Sequence, residues 1–322
     1  MPTADMATPG PQRRDERSPR ALDNGDPAIH AVANELSRLD RTGWRTAAVL
    51  RHTFDQLYDG QRTGRYRWDQ LAKVEAEGCG PLVEINLQRE FKFLDGDVLD
   101  YAIANVDVDC KYSQTVGGWM IPPEARDHVC LVVSASDTAT PTWNMGLVRA
   151  SADHLNLGAN RDAKATLNEA GRNAITWIQQ DAPLPANVLL KLDRATVDRI
   201  FAEPSGQKRI NELFRSALGT VIGRAAVATV AQQDDYMKRV RANGGARTIL
   251  QPEGILILGQ YQSHVAIARA FGVPVPGSGD SVSVRVTPAR NRGAGVVEIS
   301  GRLWKLAAPG DPIVTAPDLP SI

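Results

Sequence analysis

The chain is 322 residues long, 43% apolar and 23% charged, with a formal net charge of zero. That length points to two domains, since one core rarely grows past about 250 residues. The composition excludes a wholly disordered chain, a collagen and a coiled coil, and the longest apolar runs, 254–259 and 129–133, fall far short of the ~20 residues that cross a bilayer.

No apolar stretch follows the N-terminal charges, so no secretory signal is expected. Cys79, Cys110 and Cys130 form an odd set without CxxC or zinc spacing, which suggests a reduced, cytoplasmic setting. The zero net charge hides an asymmetry. Residues 1–185 carry 20 Lys+Arg and 26 Asp+Glu, whereas residues 186–322 carry 17 and 11. An acidic half joined to a basic half suggests that the second half meets something anionic; scattered surface charge is the plainer explanation.

Residues 1–25 are polar and rich in Pro and Arg, and read as a disordered tail. From Pro27, Ile29, Val32, Ala33 and Leu36 fall on one helical face. A second helix is expected over 46–58, stopped by Asp59-Gly60, and a short one around Trp68–Val74. Pro81 suits a first helical turn, and Val83, Leu87 and Phe91 then recur at i, i+4, i+8, giving a helix that carries Glu84. Asp95-Gly96 signals a hairpin whose second arm runs to Ser113, and 129–135 and 143–150 read as further strands. A helical segment near 169–180 closes an α/β domain over 26–180. Residues 181–187 (DAPLPAN) read as a linker. Beyond it, helices are expected over 188–201, 209–218 and 221–241, strands over 246–250 and 254–258, a helix over 264–271, and strands over 281–286 and 296–300. Residues 311–322 read as frayed.

The chemistry concentrates at Asp107-Val108-Asp109-Cys110-Lys111. Alternation along a strand places Asp107, Asp109 and Lys111 on one face, with Val106, Val108 and Cys110 facing a core. Asp100 lies nine residues upstream of Asp109. Acid, spacer, then acid-x-Lys suits metal-dependent phosphodiester cleavage: carboxylates hold a hard divalent ion such as Mg²⁺, and a nearby ammonium orients water or stabilises charge on phosphorus. Acid-x-Lys also occurs at 90–92 and 162–164, but without strand character or an upstream acid. A solvated edge strand whose charges block aggregation is the competing account.

TFDQLYDGQR (53–62), the helix with Glu84, and LDYAIANVDVDCKYSQ (99–114) together resemble the NaeI family of type IIE restriction endonucleases, from about residue 25 onward. The resemblance implies a bacterial enzyme with active-site residues Glu84, Asp100, Asp109 and Lys111. The acids would sit at a Mg²⁺ ion, with Lys111 orienting or activating water. Glu84 is picked by the resemblance alone. It further implies a restriction-endonuclease-like mixed-sheet domain followed by a helix-turn-helix domain over 188–310, and a homodimer that cuts double-stranded DNA at GCCGGC when a second copy of the site is bound. Helix 209–218, a Gly219 turn, helix 221–241 and the 246–258 hairpin would make a winged helix-turn-helix. Arg224, Lys238, Arg239, Arg241 and Arg247 would give it phosphate contacts. Leu57-Tyr58-Asp59-Gly60 is also similar to the lysine-x-Asp-Gly signature of DNA ligases, but Leu57 lacks the amine, so adenylate chemistry is excluded there. Leu57 is expected to pack in a core. A DNA-binding regulator with an inactive nuclease-like domain is the main alternative, and a strand-passage enzyme the lesser one.

Overall fold

The structure, a computed structural model, describes residues 25–156 and 162–320. Apart from Gly25, the expected N-terminal tail lies outside the described residues. Asp26 caps α1 (Pro27–Leu39), accepting the amide N–H of Ala28 at 3.0 Å, and pairs with Arg149. The predicted stripe Ile29, Val32, Ala33 and Leu36 is the buried face of α1. Helix α2 (Trp44–Tyr58) buries Val49, Leu50, Phe54 and Tyr58, and Leu57 packs at the edge of the same core. Asp59 ends α2 in a left-handed conformation (φ 46°), yet the chain re-enters a helix at once as α3 (Gly60–Thr63). The short helix expected at 68–74 divides into a 3₁₀ turn and α4 (Lys73–Glu77), after which α5 (Cys79–Phe91) carries Pro81 in its first turn.

Strands β1 (Leu94–Asp95), β2 (Tyr101–Ile103) and β3 (Val106–Ser113) follow. The tight turn is not at Asp95-Gly96, as the sequence suggests. It is at Ala104–Asn105, both left-handed (φ 51° and 61°), and it joins β2 to β3 with Ile103 opposite Val106. Residues 96–100 form a wider turn between β1 and β2. Next come β4 (Val129–Ser136), β5 (Thr142–Arg149), a small ribbon of β6 (Leu155–Asn156) and β7 (Thr166–Leu167), α6 (Glu169–Asn173), and β8 (Thr176–Pro183). The last of these corrects two expectations. The segment near 169–180 is helical only to Asn173, and the start of the expected linker is the end of a strand, with Ala182 opposite Trp143 and Pro183 opposite Thr142. Proline is tolerated there because β8 is an edge strand.

The sheet order is β1-β2-β3-β4-β5-β8, with β3 and β4 parallel and the other pairs antiparallel. This is a mixed α/β architecture. Helices α1, α2 and α5 cover one face, where Val108, Cys110, Val129, Leu131 and Val133 are buried. Trp119, Ile121, Leu155 and Leu167 cover the other face over Cys130, Val132 and Val148. Burial on both faces explains why β4 reads as an unbroken apolar run.

In the second half, Asn187 caps α7 (Val188–Lys191), followed by α8 (Arg194–Ala202) and α9 (Gly206–Ser216). The single helix expected over 221–241 is instead β9 (Val221–Ile222), α10 (Arg224–Ala231) and a 3₁₀ turn over Tyr236–Arg239. Val221 and Ile222 pair with Val282 and Ser281, and Gln232 stops α10 in a left-handed conformation (φ 50°). The segment 246–250, expected as a strand, forms α11 (Ala246–Ile249), whose start at Gly245 accepts the Thr248 and Ile249 N–H groups. The rest is β10 (Ile255–Leu258), α12 (Gln262–Phe271), β11 (Ser281–Pro288), β12 (Val296–Ile299) and β13 (Arg302–Leu306), the last unforeseen. The segment expected to fray is docked: Ala316 is 2% exposed, and its N–H donates to the Gln251 carbonyl at 2.9 Å.

The halves share a seam. Tyr66 leaves the first half to stack on Phe201 in the second core, at 6.2 Å between centroids. Gln61 donates to Asp234 at 3.1 Å. Gly60 lies so close to α10 that a Cβ there would stand 2.0 Å from Thr229 Oγ1. The Asp-Gly pair therefore serves close approach between the halves as well as ending α2.

Candidate active site

Continuing the β2–β3 register by one position sets Asp100 opposite Asp109, so their side chains share a face. Alternation adds Lys111 to that face. The structure brings the three together. Lys111 Nζ lies 2.7 Å from Asp109 Oδ1 and 3.4 Å from Asp100 Oδ2, and donates to the Cys110 carbonyl at 2.9 Å. Asp100 Oδ2 also accepts the Cys110 N–H at 2.7 Å. Asp107, expected on the same face, does not join them; its carboxylate turns to the backbone of residues 97–99.

Access is graded. The Asp109 side chain is 4% exposed and faces the Cys130 thiol, whereas Lys111 and Asp100 are 21% and 22% exposed. Asp109 is thus sunk in the sheet, while Lys111 and Asp100 together form the rim that meets solvent. Burial pushes the Asp109 carboxyl above its ordinary range; Lys111 opposes this, and Asp100 and Glu124 add to it. Burial alone would lower the Lys111 ammonium, but the bond to Asp109 and the nearby acids leave it raised, so Lys111 is a cation here.

Glu84 comes from α5, which lies against β3 across the first core, and its carbonyl accepts the Tyr101 hydroxyl at 2.7 Å. Its carboxyl is raised first by burial and then by Asp100 and Asp109, with Lys111 working against them. The three acids and one base of the expected set therefore act on one another. Among the described residues, no three His, Cys, Asp or Glu side chains are drawn together into a ready-made metal site. The donor set still fits a hard divalent ion: carboxylate oxygens in excess over one ammonium, with Glu84 and Asp109 raised by burial first and by the neighbouring Asp100 carboxylate after it. Cys79, Cys110 and Cys130 are free, buried thiols, and burial pushes Cys79 and Cys110 up to about 12.

The five basic residues expected at phosphates separate into two kinds. Arg224, the first residue of α10, donates to the Tyr236 hydroxyl at 2.8 Å; Lys238 and Arg239 pair with Asp235; Arg241 is exposed. These four sit at or after α10. Arg247 is different. Its Nε donates to the Ile257 carbonyl at 3.0 Å, its guanidinium packs on Gly259, and burial lowers its pKa. Arg247 braces α11 against β10. In the Leu57–Gly60 segment Leu57 packs at the core edge and Tyr58 is 1% exposed and donates to Asp137 at 2.9 Å, so neither is free for adenylate chemistry.

Residues 30–315 match the family described as Restriction endonuclease NaeI. The chain is 50% identical over 303 residues to the type II restriction enzyme NaeI of Lentzea aerocolonigenes, covering 92% of this chain and 95% of that enzyme. With a mixed sheet that gathers acid, acid and lysine on one face of β2 and β3, the chain is a site-specific deoxyribonuclease of the type II restriction class. It belongs to the NaeI restriction endonuclease family.

Proposed function

We propose that the chain hydrolyses both strands of DNA at a short palindrome with Mg²⁺, using Asp100 and Asp109 as principal metal ligands, Glu84 as a supporting acid and Lys111 as a cationic donor. The observation that carries this reading is Lys111 Nζ between Asp109 and Asp100. When bound, a magnesium ion supplies charge neutralisation at the scissile phosphate and a more acidic water. Lys111, bound to Asp109 at 2.7 Å, is placed to orient or activate water or to meet developing charge on phosphorus. Asp109 is deeply buried and fixed by Lys111, and Asp100 is held by the Cys110 N–H, so both carboxylates are placed before an ion arrives.

Cutting two strands calls for two such sites, hence a twofold homodimer. The second half would hold a further copy of the site, expected from the family resemblance to be GCCGGC. Its basic excess supports this, as do α9 and α10 separated by a turn containing Gly219, and β9 paired to β11, an arrangement compatible with a winged helix-turn-helix. Binding there would reach the first half through the α3–α10 seam.

A plasmid bearing GCCGGC sites tests the reading. Discrete linear fragments with Mg²⁺, and none with a chelator, are expected. A gel shift without cutting would mean a binding module, and altered supercoiling without linear product would mean strand passage; either result overturns the proposal.

A further inference from the structure

Asp107 stands on the strand that presents Asp109 and Lys111, yet its carboxylate is used elsewhere. It accepts three consecutive amide N–H groups: Asp97 at 3.0 Å, Val98 at 3.1 Å and Leu99 at 3.2 Å. Those amides form the turn that leads into Asp100. The turn has little packing of its own. Asp97 and Val98 are exposed, Val98 by 68%, and only Leu99 is buried. Gly96 opens the turn, and a Cβ there would meet Asp107 Oδ1 at 2.2 Å and the Leu99 carbonyl at 2.4 Å. A side chain at 96 would therefore push the turn off the carboxylate. On its other flank, Asp100 is tied by the Cys110 N–H at 2.7 Å. Strand β3 thus grips the Asp100 turn at two points, residues 107 and 110.

We propose that Asp107 is a positioning residue: by holding the 97–99 amides it presets the Asp100 carboxylate for the divalent ion. The inference rests on the metal-site reading above. A charged carboxylate shared by three amides is a strong, directional anchor. Without it the exposed amides can turn to water, so the fold loses little while Asp100 loses its fixed position. Groups that orient metal ligands typically change metal affinity by about 10- to 100-fold when removed.

The test uses the full chain and Mn²⁺, with binding followed by electron paramagnetic resonance, alongside the Mg²⁺ concentration at half-maximal plasmid cleavage. Asp107→Ala should weaken Mn²⁺ binding by about 10- to 100-fold and move the cleavage midpoint by a similar factor, with cutting recovered at high Mg²⁺. DNA binding measured by gel shift should be unchanged. Gly96→Ala attacks the same clamp from the other side and should shift both readouts in the same direction. Mn²⁺ affinity and a Mg²⁺ midpoint equal to wild type in both variants would overturn the proposal. Loss of the folded state in both would also overturn it, because the clamp would then hold the fold and not the ligand. Asp100→Asn separates the two claims: unchanged Mn²⁺ binding in that variant would sink the metal-site reading itself, whatever Asp107 does.

Discussion

Replacing Arg51 by Met probes how α2 is locked to the end of β4. Arg51 donates to both oxygens of Asp137, at 2.6 and 3.0 Å, and lies 2.8 Å from Asp55. The Asp137 side chain is fully buried and also receives the Tyr58 hydroxyl. Met keeps much of the stem's volume but leaves two carboxylates without their cation. Breaking a buried pair in this way costs about 3–5 kcal/mol, a large part of the roughly 5–15 kcal/mol that holds a domain folded. At about 2–4 °C per kcal/mol for a unit the size of the first half, the loss in Tm is roughly 6–20 °C. Its pH dependence follows from Asp55, whose carboxyl is raised by burial first and by Asp137, while Arg51 and, more weakly, His52 lower it. Without Arg51 the balance moves further upward. A group raised in the folded state binds its proton there before the unfolded chain does, so the variant loses stability as pH rises and regains it as pH falls from about 7 toward the ordinary carboxylate pKa of about 4. Thermal unfolding at both pH values checks this. A deficit identical at the two, or no deficit, would refute the reasoning.

Gly60→Ala should destabilise by about 1–3 kcal/mol through overpacking at the seam, and Thr229→Ala should restore part of it, because the nearest clash is with the Thr229 hydroxyl; a double-mutant cycle with purely additive effects would contradict the contact. Arg247→Ala should lower Tm while leaving the salt dependence of DNA binding intact, since Arg247 is spent on the Ile257 carbonyl. Arg241→Ala should leave Tm alone and reduce the slope of log affinity against log salt by about one, as expected for one phosphate contact.

Elements with a single apolar stripe and no competing partner were legible in the sequence. The α1 stripe and the α5 spacing gave their helices, and β4 showed itself by a short, Val-rich apolar run of the kind a strand buried on both faces carries. What failed was decided by distant partners. Val221 and Ile222 sit in helix-like company, yet pair with residues 281 and 282, sixty positions away. Ala246–Ile249 has strand-like composition but is wound onto Gly245. The site divides in the same way. Strand alternation was enough to join Asp109 to Lys111, and the short spacing to Asp100 did the rest. Glu84 could not be reached so, because its helix meets β3 only through the tertiary core. Asp107 obeyed the same alternation as Asp109, but the alternation gave no sign that a turn with Gly96 would fold back onto its carboxylate.

The most direct test is single-turnover cleavage by Asp109→Asn beside a gel shift on the same duplex. The substitution keeps size and shape but removes the charge that Lys111 meets at 2.7 Å. The account predicts that cutting disappears at every Mg²⁺ concentration while the duplex is still bound. Cleavage at the wild-type rate in that variant would place the chemistry elsewhere in the molecule.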